Sequence, residues 1–351
     1  MKAFFSKKWV KIVLGVISVL LAAVCVGNIV FASVALKQQK GVAVCEAWSP
    51  EDTYTADYAH NMEAGDKDFK VLCLTDVHIR NRGSFAACLG INFILDGMSD
   101  IQLKKLIKKV QPDLIIVGGD TVCTMWNDIC TEQFCKFMDK FGIPWAPVFG
   151  NHDYEGRADK AKLAEIYEKS EYCLFKCGPE GMNGMGNYIV NITRSNQPVY
   201  SLFMLDDGQY RIVDGAITDG GVGKNQIEWY KWAVDGIKKT SGRAVPNMAF
   251  MHVPVPEYKN ITDNFEMGQR GEDTYCAVTN DGFFDAFKAN GGTQMFAAHD
   301  HNNNFVYDYQ GVKLCYITKS SYNCYFDSKA LGGTLLTFDK DNNVKTEIVS
   351  F

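Results

Sequence analysis

Histidine is scarce in this chain, with six in 351 residues. Twelve cysteines are present, yet no two stand in a CxxC spacing, which argues against a structural zinc knuckle. No internal repeat or low-complexity tract occurs. No stretch beyond residue 36 is apolar enough to span a bilayer. Positive charge is also short. The first 40 residues hold six basic side chains and no acidic one, leaving 30 basic against 41 acidic, a net of −11. A domain this acidic repels nucleic-acid backbone and anionic headgroups, so no nucleic-acid partner is expected. A small, multiply charged substrate binds only where local positive charge reverses the field, and bound metal supplies that.

The N-terminus differs from the rest. Lys2, Lys7, Lys8 and Lys11 precede an uncharged run of 25 residues, Ile12 to Leu36. At about 1.5 Å per residue, that run predicts a helix able to cross a core of about 30 Å. The lysines put residues 1–11 in the cytoplasm. The expectation is a single-pass membrane protein: a transmembrane signal anchor over 12–36, a stalk or N-terminal wrap over 37–66, and an extracytoplasmic domain over 67–351. Cleavage near Ala32–Ala35 gives a secreted form instead. Eleven cysteines remain outside the anchor, an odd number that cannot all pair internally. Cys173 with Cys177, or Cys130 with Cys135, are candidates for local pairing.

Strand and helix patterns alternate through the domain. Phe69–Thr75, Asp113–Val117, Trp145–Phe149, Met248–Met251 and Thr293–Ala297 read as strands. Ile101–Val110, with Ser99 as N-cap, Thr131–Phe141, Ala158–Ser170, Asn225–Lys239 and Gly282–Ala289 read as helices. From Asn304 onward the chain reads as strands only. The alternation argues for a layered α/β fold whose last strands continue a second sheet.

The residues just past each strand are informative. FKVLCLT runs into Asp76-Val77-His78, DLIIV into Gly118-Gly119-Asp120, and WAPVF into Gly150-Asn151-His152-Asp153. MAFM runs into His252, and TQMFA into Ala298, then His299, Asp300 and His301. Open α/β sheets bind ligands beyond the carboxyl ends of their strands. Five of the six histidines stand at such ends and only His60 lies elsewhere. Each piece alone passes for a turn; the ordered set points to a metal site.

That set, D-x-H, G-D, G-N-H-D, a lone H and H-x-H, resembles the calcineurin-like metallophosphoesterases. FMHVPVPEY and AHDHNNNF resemble the branch related to purple acid phosphatases. The resemblance implies a four-layer α/β/β/α sandwich of two mixed sheets flanked by helices. It implies two divalent or mixed-valence metal ions, Mn, Fe or Zn. Asp76, His78 and His301 would hold the first, Asn151, His252 and His299 the second, and Asp120 would bridge them. His152 would face a small phosphate-ester substrate, its ring oriented by Asp153. A metal-held hydroxide would attack the phosphorus, with monoesters favoured over diesters. Two cations about 3.5–4 Å apart suit this task because they clamp the anionic oxygens of the ester. An imidazolium at His152 would then protonate the departing alkoxide.

Two positions depart from the family pattern. Cys123 stands where purple enzymes carry an iron-binding tyrosine, so purple colour is not expected. A buried thiol is the expected role for Cys123, with soft-metal binding as the alternative. Ala298 stands where the pattern has glycine. Arg80 is a candidate phosphate contact, as is Arg82. The competing reading of the whole chain is a catalytically silent surface-binding or structural protein that keeps the fold.

Overall fold

The computed structural model describes residues 7–35, 37–80, 91–207, 211–213, 216–218 and 220–351. In chain order its elements are α1 (Lys7–Ala35), β1 (Ala59–Glu63), β2 (Phe69–Leu74), α2 (Ile91–Val110), β3 (Leu114–Val117), α3 (Asn127–Asp139), β4 (Trp145–Pro147), α4 (Lys160–Glu168), β5 (Tyr188–Arg194), β6 (Gln197–Met204), β7 (Arg211–Val213), β8 (Ala216–Thr218), α5 (Lys224–Ser241), β9 (Asn247–Phe250), α6 (Phe283–Ala289), β10 (Gly292–Ala297), β11 (Val306–Tyr309), β12 (Val312–Tyr316), β13 (Gly332–Phe338) and β14 (Val344–Ser350). Arg82 lies outside the described residues.

The chain divides into two units, residues 1–39 and 40–351. In the first, the apolar run does become a helix, α1, of 29 residues. Among the described residues, however, no helix is long and apolar enough to cross a membrane. The transmembrane anchor, the bilayer contact and the membrane-tethered, extracytoplasmic catalytic domain expected from the sequence are therefore not supported.

In the second unit, two mixed sheets form the layers. Five strands run in the order β14-β13-β2-β3-β4 and seven in the order β1-β5-β6-β9-β10-β12-β11. The strands β2, β3 and β4 are parallel, as are β6, β9, β10 and β12. LIIV of β3 is buried throughout, the pattern of a parallel strand covered on both faces. On the seven-stranded sheet the period-2 alternation assigns the faces. Tyr188, Val190, Leu202, Met204 and Phe250 join a core with β2, β3 and helices α2 to α4. Their neighbours Ile189, Phe203, Ala249 and Met251 join a second core with Trp229 and Tyr230 of α5 and Phe283 and Phe287 of α6. Two sheets packed face to face, with helices outside each, result from that division.

A local signal explains the start of α4. Asp159 caps α4 by accepting from Lys162 N–H at 2.9 Å. Ser99 does not cap α2, because the helix begins eight residues earlier; its hydroxyl turns back to the Leu95 carbonyl at 2.8 Å. Residues 40–66 contribute β1, which pairs in parallel with β5. Cys45 is disulfide-bonded to Cys177, while Cys135 and Cys173 are in no disulfide. The local pairings expected from sequence are thus not made. Cys130 and Cys135 are five apart on α3, so their side chains diverge by about 140° around the helix.

Candidate metal centre

Short connections bring the strand ends together. Beyond β2, Asp76 N–H donates to the Gly119 carbonyl at 3.1 Å and His78 N–H to the Asp120 carbonyl at 2.9 Å, locking the loop after β2 to the loop after β3. Beyond β4, His152 N–H donates to Asp120 Oδ1 at 2.9 Å. Beyond β9, His252 N–H donates to Asp207 Oδ1 at 3.0 Å, and its Nδ1 lies 2.8 Å from the Gly118 carbonyl. Gly119 has φ +96, and a Cβ there would sit 2.5 Å from His252 Nδ1. Glycine is therefore required at that position. A Cβ on Gly150 would meet Asp120 Oδ1, so the strand end passes too close for a side chain. The residues Asp76, His78, Asp120 and His299 hold φ of 51, 48, 50 and 75, the left-handed region that non-glycine residues visit at a cost.

Two groups of donor atoms result. Asp76, His78 and His301 bring their ligand atoms within 4.8 Å of one another, as do Asp120, His252 and His299. In the first group, His78 Nε2 and His301 Nε2 are 3.0 Å apart, and each lies 3.4 Å from Asp76 Oδ1. In the second, His252 Nε2 is 3.2 Å from Asp120 Oδ2. Asp120 Oδ2 is also 3.7 Å from His78 Nε2, so this carboxylate touches both groups. Asn151 Oδ1 lies 3.1 Å from His299 Nδ1. All seven predicted ligands meet here, and Asp76, His78, Asp120, Asn151, His252 and His301 are buried.

Cations fit this donor set. Among the described residues, Asp76 Oδ1, His78 Nδ1 and His252 Nε2 are buried without a well-formed hydrogen bond, although ionic neighbours stand 3.2–3.4 Å from Asp76 Oδ1 and His252 Nε2, and a buried polar atom is not left so without cause. Burial opposes a charge on Asp120, but His252 and His78 together hold the carboxyl below its usual range. Burial, with His252 next, lowers His299 to about 4, so its imidazole is neutral and keeps a lone pair for a metal. The donors therefore have the capacity for one or two metal ions.

His152 is more open, with its side chain 36% exposed at the rim. Its ring lies 5.6 Å from that of His78. Asp153 does not hold that ring. Its carboxylate turns inward and accepts from Gly150 N–H at 2.8 Å and Val122 N–H at 3.0 Å. The ring's partner is Glu155, whose Oε2 lies 2.6 Å from His152 Nδ1. Arg80 is committed to Cys324, with its Nη2 donating to Sγ at 2.7 Å.

Sequence reasoning missed three groups near the centre. Lys319 is buried and donates from Nζ to the Asp76 carbonyl at 2.9 Å; burial lowers its pKa to about 8. Tyr325 stacks on His301 with centroids 4.1 Å apart, and Tyr275 lies 5.3 Å from His299. All three sit on loops, where no periodicity signals direction. Asp300, between His299 and His301, braces its loop by accepting from Tyr275 N–H at 3.0 Å and from the Tyr316 hydroxyl.

Residues 69–303 match the sequence profile described as calcineurin-like phosphoesterase. The chain belongs to that family. With its two ligand groups, this calcineurin-like chain is a metal-dependent phosphoric ester hydrolase. Its relatives include an Arabidopsis thaliana protein named "Probable inactive purple acid phosphatase 28", 27% identical, with 74% of this chain and 72% of that one aligned. Another is "Probable inactive purple acid phosphatase 14" of the same plant, 28% identical with the same shares. "Phosphatase DCR2" of Saccharomyces cerevisiae is 37% identical over 59% of this chain and only 38% of its own length.

Proposed function

We propose that the centre holds two cations, Mn, Fe or Zn, and hydrolyses phosphate esters. Asp76, His78 and His301 form one site and Asn151, His252 and His299 the other, with Asp120 shared. The observation that carries this reading is the reach of Asp120 Oδ2 to His252 at 3.2 Å and His78 at 3.7 Å, since a carboxylate oxygen placed between the two ligand groups could serve a cation in each. When bound, the metals would neutralise the ester oxygens and lower the pKa of water.

The chain's own residues supply the rest. His152 is fixed through its backbone on Asp120 and through Nδ1 on Glu155, so Nε2 is the ring atom that donates to the departing ester oxygen. Asp153 is a positioning residue that shapes the turn from Gly150 to His152. Lys319 ties the Asp76 carbonyl and so fixes the first ligand loop. The names of the relatives support phosphomonoesters as the first substrates to assay.

Purified protein is stripped with chelator, reloaded separately with Mn, Zn or Fe(II), and assayed on phosphomonoesters and diesters. Loss on stripping and recovery on reloading are expected. Turnover that survives complete removal of metal sinks the reading. The silent-binding alternative draws on the word "inactive" in two relatives' names; metal-dependent turnover excludes it.

A further inference from the structure

Next to the first ligand group, His78, Cys123 and Cys324 bring one nitrogen and two sulfurs within 4.8 Å of one another. Both thiols are free and half-buried, so Cys123 is not the fully enclosed thiol that the sequence suggested. Backbone contacts fix each of them. Ile79 and Val122 form a parallel bridge, and Cys123 N–H donates to the Ile79 carbonyl at 3.1 Å. On the other side, Lys319 Nζ and Ser321 Oγ each donate to the Asp76 carbonyl at 2.9 Å. Asn323 Nδ2 donates to the Val77 carbonyl at 3.1 Å. Cys324 comes next with φ +60, and its sulfur accepts from Arg80 Nη2 at 2.7 Å. Three loops are thus tied together so that two sulfurs flank one ligand histidine.

A neutral thiol is a weak acceptor for a guanidinium. A thiolate is a strong one, and it is the form that binds metal. Thiolate donors favour zinc and iron, whereas carboxylate and carbonyl oxygens suit Mn and Mg. Resting on the dinuclear reading above, we propose that Cys123 and Cys324 act as thiolate donors at the site of Asp76, His78 and His301. That site then takes a thiophilic cation, zinc or ferrous iron, in preference to Mn or Mg. On binding, each thiol releases its proton to solvent. Arg80 keeps its N–H on the Cys324 sulfur and offsets the added negative charge, as outer partners of ligands do.

The test is anaerobic titration of the reduced, metal-free full chain with Co²⁺, monitored by absorption. The expected result is a near-ultraviolet sulfur-to-cobalt charge-transfer band. It weakens in Cys123→Ser and in Cys324→Ser and is lost in the double variant. Visible cobalt absorption from the other site persists and shows that the fold survives. In competition, Zn²⁺ displaces Mn²⁺ from one site of the wild type, and that preference falls in the double variant. Two equivalents of cobalt bound without the band, or a band unchanged in the double variant, overturn the thiolate assignment and leave the dinuclear centre standing. No cobalt bound at all overturns both.

Discussion

Asp153→Ala separates two roles for this carboxylate. If Asp153 holds the His152 ring, removing it damages turnover and leaves stability nearly untouched. The geometry puts the main loss on stability instead. Asp153 is fully buried and accepts from Gly150 N–H at 2.8 Å and Val122 N–H at 3.0 Å. Truncation leaves both donors enclosed and unpaired, at about 1–3 kcal/mol each, or about 4 kcal/mol in total. One kcal/mol moves the melting temperature of a large domain by about 2–4 °C, so a loss of about 8–16 °C is expected. Asp153→Asn keeps one acceptor and should lose about half as much. Glu155→Gln is the contrasting variant, because its side chain is 42% exposed and touches the His152 ring. It should stay within about 0.5 kcal/mol of the parent and lower turnover. Urea unfolding midpoints and steady-state rates read both quantities. An Asp153→Ala protein as stable as its parent refutes the reasoning.

His152→Ala is expected to keep its metal content and lose about 10²- to 10⁴-fold in kcat; metal analysis beside kinetics checks both, and unchanged turnover removes His152 from the mechanism. Gly119→Ala places a Cβ 2.5 Å from His252 Nδ1 on a left-handed backbone, so bound metal should fall toward one equivalent, with a stability loss of about 1–3 kcal/mol from overpacking. Cys45→Ser opens a cross-link between residues 132 apart and should cost about 2–4 kcal/mol, read as a lower urea midpoint than that of the oxidised parent.

The candidate metal centre was legible because its donor residues sit just past strands whose apolar runs are unmistakable. LIIV before Gly-Gly-Asp, and MAFM before His252, reveal where a strand stops and a ligand starts. The two sheets could be read from the same alternation. Side-chain direction could not. Asp153 and Glu155 are two residues apart in a tight turn, and only the fold shows that one faces inward and the other reaches the His152 ring. The strand β1, AHNME, escaped notice because it lies at a sheet edge and is only half-covered, so it lacks the apolar run that marks a buried strand. The Cys45–Cys177 bond spans too much chain for spacing to suggest it. The N-terminal run was read from its length and lack of charge alone, and among the described residues no helix is long and apolar enough to cross a membrane.

The left-handed backbone at Asp76, His78, Asp120 and His299 sets sturdiness against chemistry. Each of these positions holds its donor at a conformational expense of order 1–3 kcal/mol, which glycine would not incur. Glycine at any of these points would relax the backbone and delete a donor in the same step, and at Asp120 it would also leave the His152 N–H without its acceptor. The strained conformations therefore sit where the pocket needs a side chain, and conformational ease there is incompatible with the chemistry.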